Sequence, residues 1–189
     1  MRLPNRRLRA LIGLIGLALL VAGFWAMPLA VAYLREHQPW IKSARAAMRG
    51  ARFVGKAGVV LQTRGNDCGA ACLKMVLSAH GIDLSLPDLI RQLEMTPRGA
   101  SMLSLRLVAT RLGLPARSWV ISDVDLGRAP LPMIVLIQQS HFVVLRKWVA
   151  PDVLEVDDPA LGRLRWPRQA FRRLWGGEAL VFDPAWSPS

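Results

Sequence analysis

The feature that most limits what this chain can fold into is a stretch without a single charged side chain, from Ala10 to Leu34, directly behind Arg2, Arg6, Arg7 and Arg9. A helix of about 20 apolar residues spans the hydrocarbon core of a bilayer, so one transmembrane segment is expected here. Pro28 alone interrupts it, at a place where a helix would end or kink. The same layout fits a secretory signal, with Ala30-Val31-Ala32 as a small-residue cleavage site. Gly13, Gly16 and Gly23 lack the spacing of a dimerising membrane helix.

The net charge of +12 raises the question of nucleic acid. Residues 1–56 hold ten Lys and Arg against Glu36 alone, a balance of +9, so only +3 belongs to the rest of the chain. The excess flanks the apolar run, where it meets anionic head groups, and no nucleic-acid partner is expected. Four arginines before the run describe a signal anchor that leaves the remainder outside the cytoplasm. Arg35, Lys42, Arg45, Arg49, Arg52 and Lys56 behind it keep a cytosolic orientation open. The expected organisation is a basic region 1–9, an anchor or signal 10–34, a basic juxtamembrane linker 35–57, a globular domain 58–184 and a tail 185–189.

Within the globular part, helical spacing and caps predict helices over Cys68–His80, over Leu86–Glu94 behind a Ser85/Asp88 capping box, and over Met102–Leu112 stopped by Gly113. Short apolar or alternating runs predict strands at Arg117–Ile121, Met133–Gln138, His141–Trp148, Val153–Asp157 and Arg163–Trp166. A short helix over Pro167–Trp175 and a last strand over Ala179–Phe182 complete the chain. Helices first and antiparallel strands after define an α+β fold.

The chemistry concentrates at Gln62-Thr63-Arg64-Gly65-Asn66-Asp67-Cys68-Gly69. Asn66 or Asp67 is placed to cap the helix that follows. Cys68 then sits in its first turn, where free backbone N–H groups and the positive end of the helix dipole favour a thiolate, the nucleophilic form. A base must come from His37, His80 or His141. His37 lies in the basic stretch outside the globular part. His80 closes the Cys68 helix about 18 Å away, at 1.5 Å per residue. His141 opens an apolar strand and is the candidate. An orienting carboxylate comes from Asp157 or Asp158 at the end of the next strand, which a hairpin returns beside His141. Asp158 directly precedes Pro159 and is favoured on that ground, with Asp157 left open. Gln62 and the Cys68 N–H would supply two donors to a tetrahedral oxyanion. Cys72, one turn beyond Cys68, reads as a small core residue; neither a disulfide within one helix turn nor a zinc site is supported.

These residues resemble the peptidase C39 family, papain-like bacterial cysteine proteases. Gln62, Asp67 to Leu73, His141-Phe142-Val143-Val144-Leu145 and Asp158-Pro159-Ala160-Leu161-Gly162 match its pattern in order and spacing over roughly Gly58 to Pro184. The resemblance implies a papain-like peptidase fold with Cys68 as nucleophile, His141 as base, Asp158 as orienter and Gln62 in the oxyanion hole, without metal or organic cofactor. It implies a leader or precursor peptide as substrate, cut after a double glycine, and a separate transporter or secretion machinery as partner. The expected location is a bacterial inner membrane, single-pass, with the domain in the periplasm. A module that holds a secretion substrate without cutting it is the alternative, and another acyl transfer by the same residues is a third.

Overall fold

The computed structural model of the protein describes residues 6–37 and 39–189, so residues 1–5 of the basic N-terminal block lie outside the described residues. One compact unit ends at Ala44 and another spans Arg45–Ser189. In the first, α1 (Arg6–His37) is a single helix of 32 residues that runs through Pro28 instead of ending there. Its stretch Ile12–Val31 is 20 residues long, apolar enough to cross a membrane, and exposed along its whole length. At 1.5 Å per residue it matches a hydrocarbon core of about 30 Å.

The second unit begins within α2 (Pro39–Met48) and continues through β1 (Arg52–Gly55) and three helices, α3 (Cys68–Ala79), α4 (Leu86–Gln92) and α5 (Met102–Arg111). It then runs through β2 (Arg117–Val120), α6 (Asp123–Leu126), β3 (Met133–Ile137), β4 (His141–Ala150), β5 (Val153–Asp158), β6 (Gly162–Pro167), α7 (Arg168–Arg172) and β7 (Trp175–Val181). The strands form one sheet in the order β1-β6-β5-β4-β3-β7-β2, antiparallel throughout. The expected α+β architecture is the observed one.

Alternation along the strands divides the core between the two sheet faces. Ile134, Phe142, Val144 and Leu180 pack under α3, α4 and α5. Val135, Ile137, Val143, Leu145, Val156 and Trp166 pack on the opposite face with Ala46 and Phe171. The helix α3 is buried on almost every side, as a helix apolar all round must be. Full burial of Leu73 and Leu77 stabilises the unit by about 1.5–3 kcal/mol for each side chain.

Two strands differ from expectation for identifiable reasons, and the helices α2 and α6 add to the expected elements. The stretch 35–57, expected as a linker, supplies β1, which pairs with β6 and extends the sheet by one strand. A four-residue run whose burial alternates between exposed and partial gave little periodic signal. The last strand starts at Trp175, not Ala179, because Trp175 pairs with Ile137 and its indole N–H donates to the Glu178 carbonyl at 3.0 Å. Gly176 and Gly177 masked it in the sequence, and Gly177 holds a left-handed φ of +105° inside the strand.

Candidate active site

The loop before α3 places the thiol. Asp67 stands at the N-cap position, yet its side chain makes no cap bond. It reaches back instead, accepting from the Thr63 N–H at 3.1 Å, the Thr63 hydroxyl at 2.6 Å and the Arg64 N–H at 3.1 Å. The expected cap is thus a buried carboxylate that folds residues 63–67 into a compact turn against the helix start. Across from it, Gly99 would bring any Cβ to 2.7 Å from the Asn66 carbonyl oxygen, and the Asn66 amide donates to the Thr96 carbonyl at 3.0 Å. Cys68 follows as the first residue of α3. Gly69 is closely packed too: a Cβ there would stand 3.2 Å from the Phe142 ring.

The hairpin of β4 and β5 places the other two groups. Gln138 and Gln139 form the turn ahead of β4 with φ of 50° and 57°, a conformation that favours Asn and Gly and is strained for glutamine. His141 is the first residue of β4 and Asp158 the last of β5. The antiparallel register brings them together, and His141 Nε2 lies 2.9 Å from Asp158 Oδ1. The His141 side chain also hydrogen-bonds with the Cys68 thiol, and with Nε2 engaged by Asp158, Nδ1 is the ring nitrogen left for it.

Asp158 is fully buried, and it is well provided for. Oδ1 also accepts from the Ala160 N–H at 2.7 Å and the Leu161 N–H at 3.3 Å, and Oδ2 pairs with Arg49 at 3.4 Å. Its neighbour Asp157 points to the other face and binds Arg163 through Nε at 2.7 Å and Nη2 at 3.1 Å. Of the two acids left open by the sequence, the structure brings Asp158 and not Asp157 to His141.

Electrostatics couple the group. Burial alone would raise the Cys68 thiol, but hydrogen bonds from His141 and the Phe142 N–H, with the attraction of a charged imidazole, bring it below its ordinary value. Burial would depress His141, yet the Asp158 carboxylate and the Cys68 sulfur push it up to about 9. Asp158 is disfavoured by burial and nonetheless held low, chiefly by its hydrogen bond to His141. Both shifts run in the direction that favours a thiolate beside an imidazolium. Cys72 is the contrast: burial, and the nearby charges of Cys68, Asp158 and Asp157, drive its thiol well up, which makes it an inert core residue.

Gln62 lies on the same loop, half-buried, with its backbone N–H on the Pro159 carbonyl at 2.9 Å. This bond ties the loop to the corner that holds Asp158. Its side-chain Nε2 donates to the Arg64 carbonyl at 2.9 Å, and its Oε1 is buried without a partner. An unpaired buried acceptor costs about 1–3 kcal/mol and is a feature of functional sites. His80 caps α3 and is exposed, as its position before Gly81 suggested. Sequence reasoning missed Arg49, which was one basic residue among many, and misread Asp67, whose position before Cys68 looked like a cap.

A His–Asp pair on a hairpin, the acid fully buried and the histidine partly exposed, set against a cysteine at a helix start, is the arrangement of the papain-like cysteine peptidases. A model of the peptidase C39 family matches residues 56–187, and the chain belongs to that family and with it to the cysteine peptidases. The probable microcin-H47 secretion/processing ATP-binding protein MchF of Escherichia coli is 33% identical over 133 residues, 70% of this chain. The chain spans about a fifth of that relative's length, since 19% of it is covered. The probable functional amyloid protease FapD of Pseudomonas fluorescens is 29% identical over 173 residues, 85% of this chain and 74% of its own. Among solved structures, a double glycine motif protease from an AMS/PCAT transporter, in complex with the leader peptide, superposes with a TM-score of 0.64 at 28% identity. The match covers 67% of this chain and 91% of that one.

Proposed function

We propose that the protein hydrolyses a peptide bond in a leader or precursor peptide, after a Gly-Gly pair, with Cys68 as nucleophile, His141 as acid and base, and Asp158 as the group that orients it. The observation that carries this reading is His141 itself, bonded to Asp158 through Nε2 and to Cys68 through its other side. The Cys68 thiolate attacks the scissile carbonyl. In this reading the oxyanion forms at the start of α3 and accepts from the Cys68 N–H and from the second amide hydrogen of Gln62. His141 then gives its Nδ1 proton to the leaving amine, and a thioester remains on Cys68. Water enters, His141 takes its proton, and the thioester is hydrolysed. Asp158 keeps the ring oriented and stabilises its charged form throughout.

The Gly-Gly preference rests on family membership and on the likeness to a double glycine motif protease. In the same reading α1 anchors the chain in a bacterial inner membrane as a single pass, with the peptidase unit in the periplasm, and a separate secretion system receives or delivers the substrate.

The test is a panel of peptides with and without Gly-Gly, incubated with the full chain in nonionic detergent under reducing conditions and read by mass spectrometry. Cleavage after Gly-Gly that disappears in Cys68→Ala is expected. Binding without cleavage would instead identify a module that holds a secretion substrate.

A further inference from the structure

The α3 side of the sheet is apolar only over part of its width. Toward β5, β6 and β1 it turns charged, and the charges are unequal. Glu155 and Asp157 are sunk to 7% and 4% side-chain exposure, while Lys147, Arg146 and Arg165 stand 58%, 46% and 40% exposed. Glu155 is ringed by Arg146, Lys147, Arg163 and Arg165 at 3.6–3.8 Å. The surface that a partner meets is therefore positive.

Two features concentrate positive charge beyond what the buried acids require. A register shift between Leu145 and Lys147 sends two consecutive cations, Arg146 and Lys147, to the same carboxylate, where regular alternation would send one. Arg52 and Arg165 stand directly opposite each other on β1 and β6, an arrangement that like charges disfavour. Arg165 Nε is buried 3.6 Å from Glu155, and the side chain as a whole stays 40% exposed. An anion bound at its exposed end would relieve the repulsion with Arg52.

Position points to the occupant. The face runs along β5 and ends where Asp157 gives way to Asp158 and His141. The far end, at Val153, is about 17 Å away at 3.3 Å per residue, and there a hollow of about 580 Å³ opens, lined by Arg52 and Arg165 beside Ala51, Val149, Val153 and Pro167. A strip of exposed cations that follows one strand and ends in a hollow lined by two arginine side chains suits an extended acidic chain better than a layer of head groups. We propose that this face is a docking surface for an acidic segment of the peptide that the enzyme cleaves. The proposal rests on the peptidase reading above.

The experiment measures peptide binding by fluorescence anisotropy on the full-length Cys68→Ala protein in nonionic detergent. Gly-Gly peptides carry three Glu, or three isosteric Gln, on one flank or the other. For one flank the Glu peptide is expected to bind about tenfold more tightly at low salt, with the preference lost at high salt and in Arg146→Gln/Arg165→Gln. Equal binding of the Glu and Gln peptides by the protein with its surface arginines intact overturns the proposal and needs no surface variant. A short-chain phosphatidylglycerol that binds while the peptides show no Glu preference assigns the face to lipid instead. Because binding is read on the Cys68→Ala protein, the two readings fail separately. A Glu preference without cleavage by the active chain sinks the peptidase reading, and cleavage without the preference sinks the docking surface.

Discussion

Asp157 and Asp158 are neighbours on one strand and serve regions with opposite demands. Asp158 is enclosed with a histidine, two backbone N–H groups and one arginine, and its charge is fixed for a single partner. Asp157 belongs to a network of arginines that remains open to solvent, where no single bond decides the outcome. The period of two along a strand makes this division, since successive side chains leave on opposite faces. A strand that ends in two acids can thus supply, one residue apart, a carboxylate for the histidine and a buried carboxylate paired with partly exposed arginines.

The comparison can be broken at several points. Cys68→Ala should abolish turnover, a loss of at least about 10⁴-fold, because the thiolate is the group that attacks in this reading. Assayed on any cleaved Gly-Gly peptide, residual activity above that level would remove the thiol from the mechanism. Asp158→Ala should lower kcat by about 10²- to 10³-fold through a misoriented imidazole. Asp157→Ala should change kcat by less than about tenfold while reducing stability in denaturant melts by about 1–2 kcal/mol, as Arg163 loses two bonds. Equal losses of activity in the two variants would erase the distinction.

Asp67→Ala tests the loop that both regions lean on. It frees Thr63 and Arg64, so kcat should fall by about ten- to a hundredfold and stability by about 1–3 kcal/mol. The smallest effect belongs to the turn before His141. Gln139→Gly relieves a left-handed glutamine and should raise stability by about 0.5–1 kcal/mol in the same melts.

Much of this site was legible because its chemistry sits at element boundaries that the sequence marks. Cys68 follows turn-forming residues, His141 opens an apolar run, and Asp158 precedes a proline that ends a strand. Periodicity likewise announced α3, α4, α5 and the pairing of β4 with β5. The choice between Asp157 and Asp158 was less legible, because it depends on which sheet face is buried against the histidine, a property of the assembled hairpin. Arg49 and β1 were hidden by composition: in a basic stretch, a residue that docks on a buried carboxylate looks like its solvated neighbours. Asp67 showed a different limit. An acid before a helix has two competing uses, and only the turn at Thr63 and Arg64 decides that it reaches backward.

The central claim is that Cys68 and His141 form a charged pair held by Asp158. Its signature is the pH dependence of the thiol's reactivity, measured as the iodoacetamide alkylation rate of the full chain, with Cys72→Ala as background to remove the second thiol. Below the lowered Cys68 value the thiol is protonated and slow. Above it the thiolate forms, and with His141 still charged up to about pH 9 the rate should hold a plateau through neutrality. Turnover on a cleaved peptide should fall again near pH 9, as His141 loses the proton it gives to the leaving amine. In His141→Ala the alkylation curve should move up toward an ordinary thiol near ~8.5. Superimposable curves for the two proteins, both rising only near that value, would contradict the account.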